Sequence, residues 1–250
     1  MNQTEQSRHI DFEGVHNFRD LGGIATAHAV TQFGVLYRSD RLSGFTKNDH
    51  RAFCELGIAT VIDMRVADER NKAPNCLPQD PLVKQITREF WPQHTVRMIS
   101  DINAGKLDQT GARAAMLKQY GALATDHLPD YRAVIDDLLS HSCTPSVFHC
   151  TSGKDRTGMV AAIILLAIGV PQDAVIADYV LTDGRVAKVD IFGRHVNPNV
   201  IEVVMAATPD YIQAAIDAMV SSYGSIEAYL TNGIRLNRQK REDLRALLFT

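Results

Sequence analysis

Cys150 and Arg156 stand with five residues between them in the stretch His149-Cys150-Thr151-Ser152-Gly153-Lys154-Asp155-Arg156-Thr157-Gly158. A thiol and a guanidinium at that interval can serve one anion between them, provided the intervening backbone curls inward. A strand-to-helix turn does this, because successive N–H groups converge at the positive end of the helix dipole and cradle an anion. The same field favours thiolate over thiol, and the thiolate is the nucleophile. Arg156 offers a planar fork for two phosphate oxygens. Gly153 lets the chain turn tightly without a clashing Cβ. The chemistry so equipped is in-line displacement at phosphorus, with Cys150 attacking and Thr151, Ser152, Gly153, Lys154, Arg156 and Thr157 holding the phosphate. The bland alternative is a buried cysteine at a strand end. His149, Cys150, Gly153, Arg156, Thr157 and Gly158 all falling into one pattern speak against it. A Walker loop is excluded, since Lys154 is followed by Asp155 and not by Ser or Thr.

The elements that must position this loop are legible on its flanks. Residues 145–148 read as a short strand entering it, and 157–168 as the helix leaving it, stopped by Gly169 and Pro171. Earlier, 34–38 and the β-branched run 58–64 read as strands, with a helix over 46–56 between them, capped by Thr46 and ended by Gly57. Residues 67–81 are polar and proline-bearing, hence a loop, and 83–90 read as a further strand. Helices are expected over 131–139 and 171–181, and from Asn199 to an amphipathic tail at 241–249. Strands alternating with helices, then a run of helices, predict an α/β sheet with helices packed on it. The polar, alanine-rich stretch from 95 to about 130 reads as helical in pieces. A helical lid insertion and an ordinary surface helix pair stand equally open for it. The length suits a single domain over residues 1–250.

Apolar residues at 45% and charged residues at 22% support a core that needs no disulfide staples. The cysteines at 54, 76, 143 and 150 form no CxxC pair and no zinc spacing, and the histidines are scattered, so neither metal nor cofactor is expected. A net charge of -3 gives no general attraction to nucleic acid or anionic membrane, so an anionic substrate needs a local positive site. The longest apolar stretch, 159–170, is too short to span a bilayer and reads as a core helix. The polar N-terminus lacks the apolar run of a signal peptide, and with scattered thiols the expectation is a cytoplasmic protein. Two rival functions keep an anion loop. A binding protein without turnover tends to lose the thiol or the guanidinium, and both are present. Sulfur transfer and arsenate reduction are disfavoured by the Thr157-Gly158 ending and the lack of a resolving cysteine pair.

The loop is similar to the signature of the protein tyrosine phosphatase superfamily. Its Gly-Lys-Asp-Arg-Thr-Gly ending resembles one bacterial branch, the protein tyrosine/serine and lipid phosphatases typified by a secreted mycobacterial enzyme. Asn17-Phe18-Arg19-Asp20-Leu21-Gly22-Gly23, the YRSD segment at 37–40 and the VIDMR segment at 61–65 match the same branch. The resemblance covers the first seventy residues and the loop with its helix well, and the middle and C-terminal third loosely. It implies a phosphatase-type mixed sheet flanked by helices and no metal. It also implies hydrolysis of phosphotyrosine, extending to phosphoserine, phosphothreonine and phosphoinositides, so that the partner is a phosphorylated protein or a phosphoinositide.

A two-step mechanism through a phosphocysteine needs an acid for the leaving oxygen and then a base for water. Many relatives in that superfamily carry the acid on a Trp-Pro-Asp loop, but Trp91-Pro92-Gln93 offers only an amide here. Others place an Asp about thirty residues before the cysteine, in a loop, and around Tyr120 the nearest carboxylate is Asp126. Asp155 is the remaining candidate, the role its counterpart is thought to fill in the resembled branch. Its alternative is an ion pair with Lys154 or Arg156. Asp63 is the runner-up, its alternative an ion pair with Arg65 or Arg19. Lys154 either adds charge beside the phosphate, as lipid phosphatases often do, or is a solvated rim lysine. Thr157 either hydrogen-bonds the departing sulfur or caps the helix. His149 is expected to orient the loop through a backbone contact; the resemblance implies that Asn17, Arg19 and Asp20 line or brace the site, the alternative being a purely structural role.

Overall fold

The computed structural model describes residues 8–91, 93–140, 144–186 and 191–249. Its centre is a five-stranded mixed sheet in the order β1-β2-β5-β3-β4. The strands are β1 (Arg19–Asp20), β2 (Leu36–Ser39), β3 (Thr60–Asp63), β4 (Lys84–Thr87) and β5 (Ser146–His149). β1 runs antiparallel to β2, while β2, β5, β3 and β4 are parallel. Parallel strands bury both faces, which is why β2, β3 and β5 are buried throughout. Their side chains alternate between two cores. Leu36, Ile62 and Phe148 face the larger one, and Tyr37, Val61 and Val147 the smaller one with Phe12, Phe18, Phe45 and Phe53.

The helices are α1 (Lys47–Glu55), α2 (Ala67–Lys72), α3 (Gln93–Asn103), α4 (Gln109–Asp126), α5 (Leu128–Leu138), α6 (Asp155–Ile168), α7 (Gln172–Val180), α8 (Pro198–Met205), α9 (Pro209–Tyr223), the single turn α10 (Ile226–Ala228) and α11 (Arg238–Leu248). Thr46 caps α1 in a reciprocal box with Asp49, as expected. α6 is apolar nearly all round and buried from Arg156 to Leu165, so it runs through the core and holds the preceding loop rigidly. Gly169 closes it in the left-handed conformation at φ 93°.

Residues 67–81 are not all loop. α2 forms there, its signal being charge order and not apolar periodicity: Asp68 and Glu69 lie in its first turn and Arg70 and Lys72 in its last. The Glu69 carboxylate accepts the Val66 N–H at 2.9 Å and caps the helix. The strand expected over 83–90 is short and lies at the sheet edge, exposed along most of its length. Within 95–130 the two helices differ. α4 buries Met116, Tyr120 and Leu123 in the main core, while among its described side chains α3 buries only Met98 and Ile102 and leaves much of its length exposed.

Candidate active site

The registry pairs Ser39 with His149 and Asp63 with His149, so β2, β5 and β3 end together at one edge of the sheet. Cys150 follows β5 at that edge and α6 begins at Asp155, two residues before the start expected from the sequence. Each loop carbonyl has a donor outside the loop or in the helix. His149 Nδ1 reaches Cys150 O at 3.1 Å, and the Arg41 N–H reaches Thr151 O at 3.1 Å. Asn17 Nδ2 donates to Ser152 O at 3.1 Å, Arg38 Nη2 to Gly153 O at 2.9 Å, and the Gly158 N–H to Lys154 O at 2.7 Å. In a planar trans peptide the next N–H points opposite to the carbonyl. Five carbonyls drawn outward therefore turn the N–H groups of residues 151–155 the other way, over the thiol. Gly153 sits at φ 66°, and a Cβ there would come within 2.7 Å of Asp40 N and Ser39 C. Only glycine fits.

The motif around Asn17 thus braces the site from outside. Arg19 donates to Asn17 Oδ1 and to Thr182 Oγ1 at 3.0 Å, and meets the Asp178 carboxylate at 3.4 Å. Asp178, on α7, also takes Arg38 Nη1 at 2.6 Å and an Arg8 guanidinium nitrogen. Burial opposes the Asp178 charge, but Arg19, Arg38 and Arg8 together hold its carboxyl far below the usual range. The sequence gives no sign that Asp178 belongs here, because nothing local marks a carboxylate on another helix.

Arg156 has five N–H donors in a fixed fork. Nη1 donates to Met64 O at 3.1 Å and Glu69 Oε2 at 2.8 Å, and Nη2 to Glu69 Oε1 at 2.7 Å. That uses one edge of the guanidinium and sets its plane. The Nε–H and the second Nη2–H have no partner among the described residues, and they share the adjacent edge, a second two-pronged grip. Burial opposes the Arg156 charge, but Glu69 and then Cys150 raise its pKa above the ordinary guanidinium range. Glu69 also accepts from Thr151 Oγ1, and although burial works against its charge, Arg156 keeps its carboxyl below the usual value. Sequence reading missed Glu69; the acidic-then-basic charge order of α2 was the available signal.

Asp155 lines a cavity of about 110 Å³ above the loop with Thr151, Ser152, Lys154 and Arg156. Trp91, Met98, Ile99, Met116, Val204 and Met205 wall it, so Trp91 sits at the site although Pro92 lies outside the described residues. The Asp155 carboxylate accepts Tyr120 OH at 2.6 Å and lies 3.5 Å from Lys154 Nζ. Lys154 is not a solvated rim residue. It is buried, and its Nζ donates to Val204 O and Ala206 O, capping the C-terminal end of α8. Thr157 Oγ1 is buried without a hydrogen-bond partner among the described residues, and it does not cap α6. Asp63 does not line the cavity. Arg65 grips both its oxygens, and Asn75 adds a bond at 3.2 Å. Asp126 lies at the far end of α4, beside His94. Among the described residues no group of three or more His, Cys, Asp or Glu is placed to hold a metal.

His149 is fully buried, and desolvation lowers its pKa to about 4, so at neutral pH it is uncharged and its Nδ1 carries the proton shared with Cys150 O. This carries a pH consequence. A base whose folded pKa lies below its unfolded value near 6.5 favours the unfolded chain as it protonates. Its stabilising effect is full above about 6.5 and is lost as pH falls from there to about 4, by up to about 3 kcal/mol. Denaturant titrations at pH 7 and pH 4.5 should show that loss, and His149→Asn, whose amide keeps a donor to the carbonyl, should show much less of it.

The profile of the tyrosine phosphatase family matches residues 10–250. A Cupriavidus necator protein whose name places it among the tyrosine-protein phosphatases is 30% identical over 249 residues, 93% of this chain and 86% of its own. The triple specificity protein phosphatase PtpB of Mycobacterium tuberculosis is 26% identical over 260 residues, 88% of this chain and 92% of its own. Among solved structures, TpbA of P. aeruginosa superposes at a TM-score of 0.36 with 17% identity, covering 77% of this chain and 96% of that one. Matched over nearly its whole length, the chain belongs to the tyrosine phosphatase family.

Proposed function

We propose that this protein hydrolyses phosphomonoesters, phosphotyrosine foremost, through a cysteinyl-phosphate formed on Cys150. The observation that carries the reading is the loop in which five consecutive carbonyls are held outward, leaving their N–H partners to the anion. In the first step the thiolate attacks phosphorus and the ester P–O bond breaks. The electron pair stays on the leaving oxygen, which takes a proton from Asp155. In the second step water, deprotonated by Asp155, attacks phosphorus, the S–P bond breaks and the sulfur leaves as thiolate. The loop N–H groups and the free edge of Arg156 stabilise the charge on the equatorial oxygens in both steps.

The apolar walls of the cavity suit an aryl ester better than an alkyl one. The mycobacterial relative is named for a triple specificity, which supports more than one substrate class, and we read phosphoserine and phosphothreonine as the slower substrates here. Phosphoinositides are less well supported, because the Lys154 ammonium is committed to the carbonyls of α8. A panel of phosphotyrosine, phosphoserine and phosphothreonine peptides and phosphoinositide vesicles tests this order, and a lipid turned over faster than the phosphotyrosine peptide would reverse it. We read the whole chain as one domain in which α3, with its largely exposed surface, is the part of 95–130 able to close over the site. The described cysteines Cys54, Cys76 and Cys150 are free, which suits a reducing, cytoplasmic setting. No helix among the described residues is long and apolar enough to cross a membrane.

Arg156→Lys keeps the charge but cannot serve Glu69 and phosphate through two edges at once. We expect kcat/KM for an aryl phosphate to fall by about 10²-fold or more, with both KM and kcat affected. A Lys variant close to wild type would mean that Arg156 does not grip the phosphate.

A further inference from the structure

We infer that Tyr120 is a positioning residue for the leaving-group proton, fixing the inner oxygen of Asp155 so that only the outer oxygen can carry and deliver it. The inference rests on the proposed acid role of Asp155 and goes beyond it by assigning how that acid is aimed.

The geometry is specific. Tyr120, on α4, is wholly buried, and its hydroxyl donates to Asp155 Oδ1 at 2.6 Å. Its only proton is thereby committed. The Tyr179 hydroxyl on α7, 2.5 Å from Tyr120 OH, must then be the donor to Tyr120, which gives a directed chain from Tyr179 through Tyr120 to Asp155. Lys154 Nζ approaches the same Oδ1 at 3.5 Å. One hydrogen bond and one nearby ammonium charge thus face the same oxygen, while Oδ2 has no hydrogen-bond partner among the described residues and belongs to a residue lining the cavity. A carboxyl whose one oxygen is an obligate acceptor can hold its proton only on the other. Tyr211 on α9 stacks on Tyr120 with ring centroids 5.6 Å apart, closing the wall behind the chain.

The hydroxyls are not there merely to satisfy one another. Burial pushes both phenols well above their ordinary pKa, with the Asp155 charge adding to the effect, so neither ionises and the chain keeps its direction at working pH. In phosphoryl transfer the acid matters in proportion to how badly the leaving oxygen needs a proton. Misaimed by the loss of Tyr120, Asp155 should therefore fail most with poor leaving groups.

The test is kcat/KM across a series from nitrophenyl to alkyl phosphates for wild type, Tyr120→Phe, Tyr179→Phe and Asp155→Asn, with circular dichroism melts alongside. For Tyr120→Phe we expect a loss of about 10-fold on alkyl phosphates and under about 2-fold on the nitrophenyl ester, so that the dependence on leaving-group acidity steepens. Tyr179→Phe keeps the contact with Asp155 and should show the same trend, about 3-fold at the alkyl end. Equal losses of Tyr120→Phe on all esters, or no loss on any, overturn the inference while a steepened Asp155→Asn series leaves the acid role standing. A flat Asp155→Asn series would instead sink the acid role itself. Should Tyr120→Phe fail to fold, Tyr179→Phe decides alone: a graded loss supports the inference and a uniform one overturns it.

Discussion

Cys150→Ser should cut phosphate release from an aryl phosphate by more than about 10²-fold and leave no phosphoprotein after acid quench. The reason is that a serine hydroxyl here has no base to deprotonate it. His149, the adjacent imidazole, is turned away with its Nδ1–H on the Cys150 carbonyl, and in the first step Asp155 carries the proton that the leaving oxygen takes, so it is no base there. A thiol depends less on such a base, because it is intrinsically far more acidic and more nucleophilic than a hydroxyl. The loop itself does not depend on the sulfur, since its carbonyls are held by Asn17, Arg38 and Arg41. The serine variant should therefore still bind vanadate or phosphate, measured by calorimetry, within a few-fold of the parent protein. Retention of more than about a hundredth of the activity would sink the covalent route.

The second large effect is Asp155→Asn. With an alkyl phosphate, whose leaving oxygen must be protonated, kcat/KM should fall by about 10²- to 10⁴-fold. With a nitrophenyl ester, which departs as an anion, the loss should be much smaller. Should Asp155 only brace the loop, both esters would lose activity together and phosphate affinity would drop with them. Asp63 is a poor understudy, because burial raises its carboxyl while His149 and Arg65 more than offset this and hold it below the usual range. Its proton would be missing where an acid is needed, and its oxygens are spent on Arg65 and Asn75.

The parts legible in the sequence share one property: they are contiguous. Cys150, Gly153 and Arg156 lie within one turn of chain, so their spacing alone specifies a strand, a tight turn and a helix start. The strands β3 and β5 were legible for a similar reason, since short β-branched or apolar runs bounded by Gly57, Arg65 and Pro145 admit little else. α2 was not, because its helix rests on six charged and small residues with no buried face and a cap from Glu69. The Thr157 start missed α6 by two residues, since the loop's last peptide already takes helical geometry without a side-chain cap to announce it.

What only the tertiary structure decided is which distant groups the loop meets. Glu69 reaches Arg156 across 87 positions, Asp178 reaches Arg38 across 140, and Tyr120 reaches Asp155 across 35. Lys154 reads from sequence as a charge for the substrate and folds instead onto the carbonyls closing α8. The type and local spacing of residues determine what chemistry a segment can perform, because they set backbone geometry over one turn. Partners brought from other helices determine which donor, acceptor or charge is free to perform it, because a buried polar group binds whatever the packed elements place beside it.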